Sequence, residues 1–218
     1  AKKSGNIDGD VYTGTDTVEY LASGVPDRVF FATNKSSLTT KSRETLRKQA
    51  TYLRKNKNYP NLLHALKILR AEYNQNFISL IAGDGPEKES LASLIQEYGL
   101  EDNVFLLGGV KNTESLYKTA DLFVLSSDYE GFGMVLVEAL GYGKTIISTD
   151  CESGPREILG NSKYGYLSPV DNPERLAESI YKAYLNKLKP DMLLKRYKDF
   201  DVSLIGSKYL SLMKRMDP

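Results

Sequence analysis

From residue 49 onward, short apolar runs alternate with longer stretches of helical spacing. The runs Ala50–Leu53, Phe77–Ala82, Val104–Leu107, Leu122–Leu125, Thr145–Ser148 and Gly165–Leu167 are three to six residues long. They are apolar without strict alternation, which suits strands covered on both faces. Helices are predicted between them, over residues 60–74, 87–98, 113–120, 132–141, 154–159 and 173–187. Asn172, Pro173 and Glu174 supply an N-cap, a first-position proline and a first-turn acid. Leu176, Ile180 and Tyr184 follow at spacing four and form an inward stripe. Strands alternating with helices predict βαβ units with right-handed crossovers. The expected fold is α/β, a doubly wound Rossmann-like parallel sheet.

The ends of the chain break this rhythm. Asp10–Thr13 reads as a strand, Asp16–Ala22 as a helix and Arg28–Thr33 as a second strand. Residues 1–34 are therefore expected to be a βαβ remnant of a preceding domain. Residues 35–48, rich in Ser, Thr, Lys and Arg, read as a linker, and residues 49–188 as the main domain. Residues 189–218 read as helices rich in Lys and Arg. The chain opens at Ala1 without a methionine, as a piece of a longer protein would.

Composition narrows the function classes. Hydrophobic residues make up 41% of the chain, normal for a globular core. Charges nearly cancel, 29 basic against 28 acidic, and are interspersed, so no field favours nucleic acid. No apolar run approaches the ~20 residues that span a bilayer. One cysteine, Cys151, excludes an internal disulfide framework and suits a reducing cytosol. One histidine and one cysteine do not make a zinc site.

The chemistry concentrates after the fourth apolar run. Ser126-Ser127-Asp128-Tyr129-Glu130-Gly131-Phe132-Gly133-Met134 leads from a strand end into a helix. Glycines at such a helix start let backbone N–H groups hold an anion such as a diphosphate. Ligands of open α/β sheets bind at the carboxyl ends of strands, which is where this segment lies. Glu138 is surrounded in sequence by Met134, Val135, Leu136, Val137, Ala139 and Leu140, so it is expected to be desolvated and to need partners. Ribose hydroxyls would satisfy it; a backbone N–H or a cation would do so equally. Gly108-Gly109-Val110 ends another strand in small residues that admit a flat base. Gly83-Asp84-Gly85-Pro86 lacks the Lys-Ser/Thr end of a triphosphate cradle. In Thr149–Glu157, Asp150, Ser153 and Glu157 suit a ligand or a helix cap equally. The segment Arg54-Lys55-Asn56-Lys57-Asn58-Tyr59-Pro60, directly after the first strand of the main domain, either places cations where a diphosphate would need them or is a charged loop in solvent. His64 has no visible partner and reads as a helix-surface or semi-buried residue.

In this order and spacing, these segments resemble the C-terminal domain of GT-B glycosyltransferases of family 4, the group 1 type found in polysaccharide assembly. The resemblance covers about residues 18 to 188. Its signature is two glutamates separated by seven residues, matched by Glu130 and Glu138. Supporting matches are Lys57-Asn58, Gly83–Pro86, Leu107-Gly108, Leu116-Tyr117 with Ala120-Asp121, and Ser153–Glu157. The resemblance implies a retaining sugar transfer from a nucleoside-diphosphate sugar, UDP favoured, to a hydroxyl acceptor. It implies Arg54 and Lys57 on the diphosphate and Glu130 at the donor sugar as the catalytic residue. Glu138 would bind the ribose, the backbone of Gly131, Phe132, Gly133 and Met134 the phosphate or sugar oxygens, and Gly108, Gly109 and Val110 would frame the base. The arginine of the family lies five residues before the lysine, where this chain has Tyr52, so Arg54 is displaced from the pattern. No metal or other cofactor is implied. The acceptor, a glycan or a lipid-linked glycan, would come through a missing N-terminal domain, leaving this piece inactive alone. The implied location is the cytoplasm, with room for peripheral membrane association of the full-length protein. A sugar epimerase of the same fold would lack the glutamate spacing, and a non-catalytic Rossmann-like module would bind no nucleotide.

Overall fold

The computed structural model describes residues 5–7, 10–12, 20–22, 25–26 and 57–216. The chain divides after Asn56 into two units. In the first, β1 (Gly5–Ile7) pairs antiparallel with β2 (Asp10–Tyr12), and β3 (Tyr20–Ala22) with β4 (Val25–Pro26). Tyr20–Ala22, expected to end a helix from Asp16, is thus a strand. Only Ser23 and Gly24 separate it in sequence from Val25, a spacing and composition suited to a hairpin. The expected strands Arg28–Thr33 and Ala50–Leu53, the linker and Arg54 lie outside the described residues.

The second unit opens with α1 (Tyr59–Ala71) and continues through β5 (Ser79–Ala82), α2 (Lys88–Glu97), β6 (Val104–Gly108), α3 (Glu114–Thr119) and β7 (Leu122–Leu125). It goes on to α4 (Met134–Gly141), β8 (Thr145–Thr149), α5 (Pro155–Ile158), β9 (Tyr166–Ser168) and α6 (Pro173–Leu185). Two more helices, α7 (Pro190–Tyr197) and α8 (Val202–Met216), follow. β5 pairs with β6, and β8 lies between β7 and β9, all parallel. From β5 onward the expected alternation is therefore present, and the boundaries of its elements and of α1 are shifted by up to three residues.

Strand β8 shows why the sheet is doubly covered. All five of its residues are buried. Successive side chains point to opposite faces. Ile147 joins a core with Leu62, Leu63 and Leu66 of α1, Ile95 of α2 and Leu176 and Ile180 of α6. Its neighbour Ile146 joins a second core with Leu136 and Leu140 of α4, Ile158 of α5 and Leu193 of α7. Thus α7 is built into the domain. Gly141 and Gly143, around the end of α4, let Tyr197 and Pro190 approach to where a Cβ would be crowded. Helix α8, by contrast, exposes Val202, Tyr209, Leu210 and Met213.

Local punctuation behaves as the sequence predicts at α6, although of the expected inward stripe only Leu176 and Ile180 are buried and Tyr184 is exposed. The Asn172 side chain accepts a hydrogen bond from the Arg175 amide at 2.9 Å, and Pro173 starts the helix. Asn172→Ala is expected to cost about 1 kcal/mol. That corresponds to a melting temperature lower by roughly 2–4 °C in a domain of this size, measurable by circular dichroism. An unchanged melt would mean the cap bond contributes nothing.

Candidate functional site

The carboxyl ends of β7 and β8 are joined by hydroxyls. Ser126 and Ser127, buried directly after β7, are fixed from two sides. Ser126 Oγ donates to the Lys57 carbonyl at 2.7 Å, and Thr149 Oγ1 donates to the Ser127 carbonyl. Tyr129 bridges to Glu152 in a single parallel step. These bonds position the turn that carries Glu130.

Glu130 is 8% exposed. One oxygen, Oε1, accepts from Ser127 Oγ at 2.8 Å and from Lys57 Nζ at 2.5 Å. The ion pair joins residues 73 positions apart. It rests on the start of α1, where Asn58 caps the helix by accepting from the Asn61 amide at 3.1 Å. The same Asn58 amide group donates to Asp128 at 2.8 Å and to Asp171 at 3.4 Å. Burial pushes the Asp128 carboxyl above its ordinary range and the nearby Asp171 adds to this, while the Asn58 bond opposes it. Burial likewise raises the Tyr59 phenol, with Glu87 and Glu130 contributing. Cys151, also close to Glu130, has its thiol pushed up to about 11, first by burial and then by the Glu130 charge. It stays protonated at neutral pH and is a poor nucleophile.

After Glu130 the chain opens. A Cβ on Gly131 would meet nothing within 4 Å, and Phe132 and Met134 are exposed. Gly133, with φ 87°, takes the left-handed N-cap position of α4. Residues past the end of β8 close against this turn. Gly154 adopts φ 90° and ψ −70°, and a Cβ there would lie 1.9 Å from the Phe132 carbonyl oxygen. Asp150, Cys151, Glu152, Ser153 and Arg156 line an open depression of about 760 Å³ beside it. Asp150, one of the residues suited to a ligand, is engaged by Arg156 in an ion pair. From the other side of α5, Arg196 of α7 donates to the carbonyls of Ile158 at 3.0 Å and Glu157 at 2.7 Å. Phe200, which follows α7, contacts the Phe132 ring edge-on at 6.0 Å.

Glu138 departs from the expected setting. It is exposed, not desolvated. The helix period puts Leu136, Val137, Ala139 and Leu140 on the arc facing the core, and leaves Glu138 on the arc of the exposed Met134, four residues earlier. Its partner is one the sequence reading gave no role: Tyr117 of α3 donates from its hydroxyl to Glu138 Oε2 at 2.9 Å. Gly108, at φ 70°, ends β6 with its carbonyl accepting from Gly83 N at 2.8 Å, so Gly108, Gly109 and Val110 lie beside the Gly83-Asp84 turn. His64 packs on Tyr98 with ring centroids 5.8 Å apart. Among the described residues no group of three or more His, Cys, Asp or Glu could hold a metal ion. No described helix is long and apolar enough to cross a membrane.

A family model described as "Glycosyl transferases group 1" matches residues 31–200, most of the chain. This chain belongs to the group 1 glycosyltransferases. It carries the Rossmann-like C-terminal half of a GT-B fold. Campylobacter jejuni has a relative, N-acetylgalactosamine-N,N'-diacetylbacillosaminyl-diphospho-undecaprenol 4-alpha-N-acetylgalactosaminyltransferase, that is 34% identical over 147 residues. The alignment takes in 67% of this chain and 38% of that protein. The amylovoran biosynthesis glycosyltransferase of Erwinia amylovora is 33% identical over 132 residues, 61% of this chain and 35% of that one. A crystal structure of a mutant S. aureus TarM in complex with fondaparinux, alpha-GlcNAc-glycerol and UDP superposes with a TM-score of 0.62 at 25% identity. It matches 72% of this chain and 33% of that chain. The chain thus spans about a third to two fifths of the length of these relatives.

Proposed function

We propose that this domain binds a nucleoside-diphosphate sugar, UDP favoured, as the donor half of a retaining family 4 glycosyltransferase in glycan or polysaccharide assembly. The observation that carries the reading is Glu130, buried beside the start of α4 and held by Ser127 and Lys57. A carboxylate fixed in this way can face a developing positive charge on the sugar. Gly131, Phe132, Gly133 and Met134 then offer backbone N–H groups and the positive end of α4 to the diphosphate. Lys57 supplies a cation, to which the family resemblance would add Arg54, so no metal would be needed there. Gly108, Gly109 and Val110 would frame the base and Glu138 the ribose. The bond from the diphosphate to the sugar breaks while the acceptor hydroxyl's oxygen takes the sugar and its proton passes to the departing diphosphate oxygen, whose charge the fixed cations stabilise. The acceptor side belongs to the part of the protein beyond this chain, and this piece alone is expected to transfer nothing. The UDP in the TarM complex supports the choice of base. The diphospho-undecaprenol in the Campylobacter relative's name supports a lipid-linked acceptor and, with it, peripheral association with a membrane.

Titration calorimetry of this chain with UDP, GDP and ADP tests the reading. UDP is expected to bind best. Glu138→Ala is expected to weaken it about tenfold, a loss near 1.4 kcal/mol. Absence of binding by all three at millimolar concentration would defeat the donor-site assignment.

A further inference from the structure

Tyr117 is the buried side chain nearest in chemistry to the proposed site that the reading above does not use. It sits on α3, is 8% exposed, and stacks on Tyr142 with ring centroids 5.2 Å apart and planes 5° from parallel. Phe123 of β7 packs on it at 5.6 Å. The ring is thus clamped between the residue that ends α4 and the sheet. A clamped tyrosine has one useful atom left, its hydroxyl, and a buried hydroxyl needs a partner. Here it bonds Glu138 Oε2 at 2.9 Å, with the Val135 carbonyl 3.5 Å away. Burial and this bond raise the phenol's pKa, so it stays a donor at any physiological pH. Glu138 itself stands at the surface, where a glutamate without a tether samples many rotamers.

Resting on the reading of Glu138 as a ribose ligand, we infer that Tyr117 is a positioning residue for donor binding. It engages one carboxylate oxygen from a rigid ring and leaves Oε1 to accept from the vicinal hydroxyls of the ribose. The ordering of the carboxylate is then complete before the nucleotide arrives, which is the condition for a strong contact. The aromatic pair of Tyr117 and Tyr142 ties that ordering to α4, whose other end meets the diphosphate.

Tyr117→Phe keeps the ring and its packing and removes only the bond. Calorimetry with UDP and with 2′,3′-dideoxyuridine diphosphate reads the result. The variant is expected to bind UDP three- to tenfold more weakly than the wild-type chain, and the dideoxy compound equally well. Equal UDP affinity in Tyr117→Phe, with weakened binding in Glu138→Ala, would overturn the role of Tyr117 and leave Glu138 as the ribose ligand. Equal losses for both nucleotides would show that Tyr117 acts on the fold and not on the ribose contact. Unchanged binding in Glu138→Ala would remove the ribose reading and this inference with it.

Discussion

Gly154→Ala is expected to weaken UDP binding by one to two orders of magnitude and to lower the melting temperature by on the order of 10 °C. The reason is a contact between two backbones. Gly154 holds φ 90° and ψ −70°, a region that costs a residue with a Cβ about 1–3 kcal/mol. The added methyl would also lie 1.9 Å from the Phe132 carbonyl oxygen and 2.6 Å from its carbon. No side-chain rotation relieves a clash with backbone, so one of the two segments must move. Overpacking of this kind adds roughly 1–3 kcal/mol. A domain with about 5–15 kcal/mol of stability survives that sum, but with the Gly131–Met134 turn displaced from its place against Gly154. Gly131→Ala is the control. A Cβ there meets nothing within 4 Å and the backbone N–H is kept, so near-wild-type melting is expected. Calorimetry and thermal melts of the two variants decide the matter: if Gly154→Ala matches Gly131→Ala in both, the two loops are not coupled.

Lys57→Ala should have the largest effect on catalysis. Its ammonium lies 2.5 Å from Glu130 Oε1, with side chains 32% and 11% exposed. Without it Glu130 keeps the Ser127 hydroxyl and loses its cation, and the proposed diphosphate site loses a positive charge. Because the lysine is partly hydrated, the stability cost is expected to be modest, about 1–2 kcal/mol. The loss in transfer is expected to be about 10²–10³ in kcat/KM for the full-length enzyme, as for other fixed groups aimed at developing charge. UDP affinity of this chain should fall about tenfold in parallel. A full-length Lys57→Ala enzyme within threefold of the wild type would dismiss the lysine from the site.

The sheet and helices were legible in the sequence because their signals are local. Period and punctuation mark β7, β8, α4 and α6 without reference to anything distant, and the Asn172–Glu174 start of α6 is a complete cap in three letters. What was not legible depends on chain segments meeting. Glu138 looks buried when read beside its sequence neighbours, yet the helix turns those neighbours inward and leaves it outside. The Lys57–Glu130 pair spans 73 positions, and nothing in either segment names the other. Gly154 reads from sequence only as the first residue of a helix, and only the path of Phe132 shows why no other residue fits. Tyr117 stands within a matched motif, but its hydroxyl acquires a purpose only once α3 lies against α4. At the other end of the chain, Tyr20–Ala22 shows local pattern failing, since a few residues of helical composition preceded a strand pairing with Val25–Pro26.

Helix α7 has a consequence for where this domain ends. A boundary drawn at residue 188, where the alternation of strands and helices stops, would cut away Leu193, which is fully buried in the second core. It would also remove Arg196, whose guanidinium holds two carbonyls at the end of α5, and with Phe200 the ring that touches Phe132. The shortest self-sufficient piece therefore runs at least to Phe200, and the stretch after α6 is better regarded as the lid of the second core than as a tail.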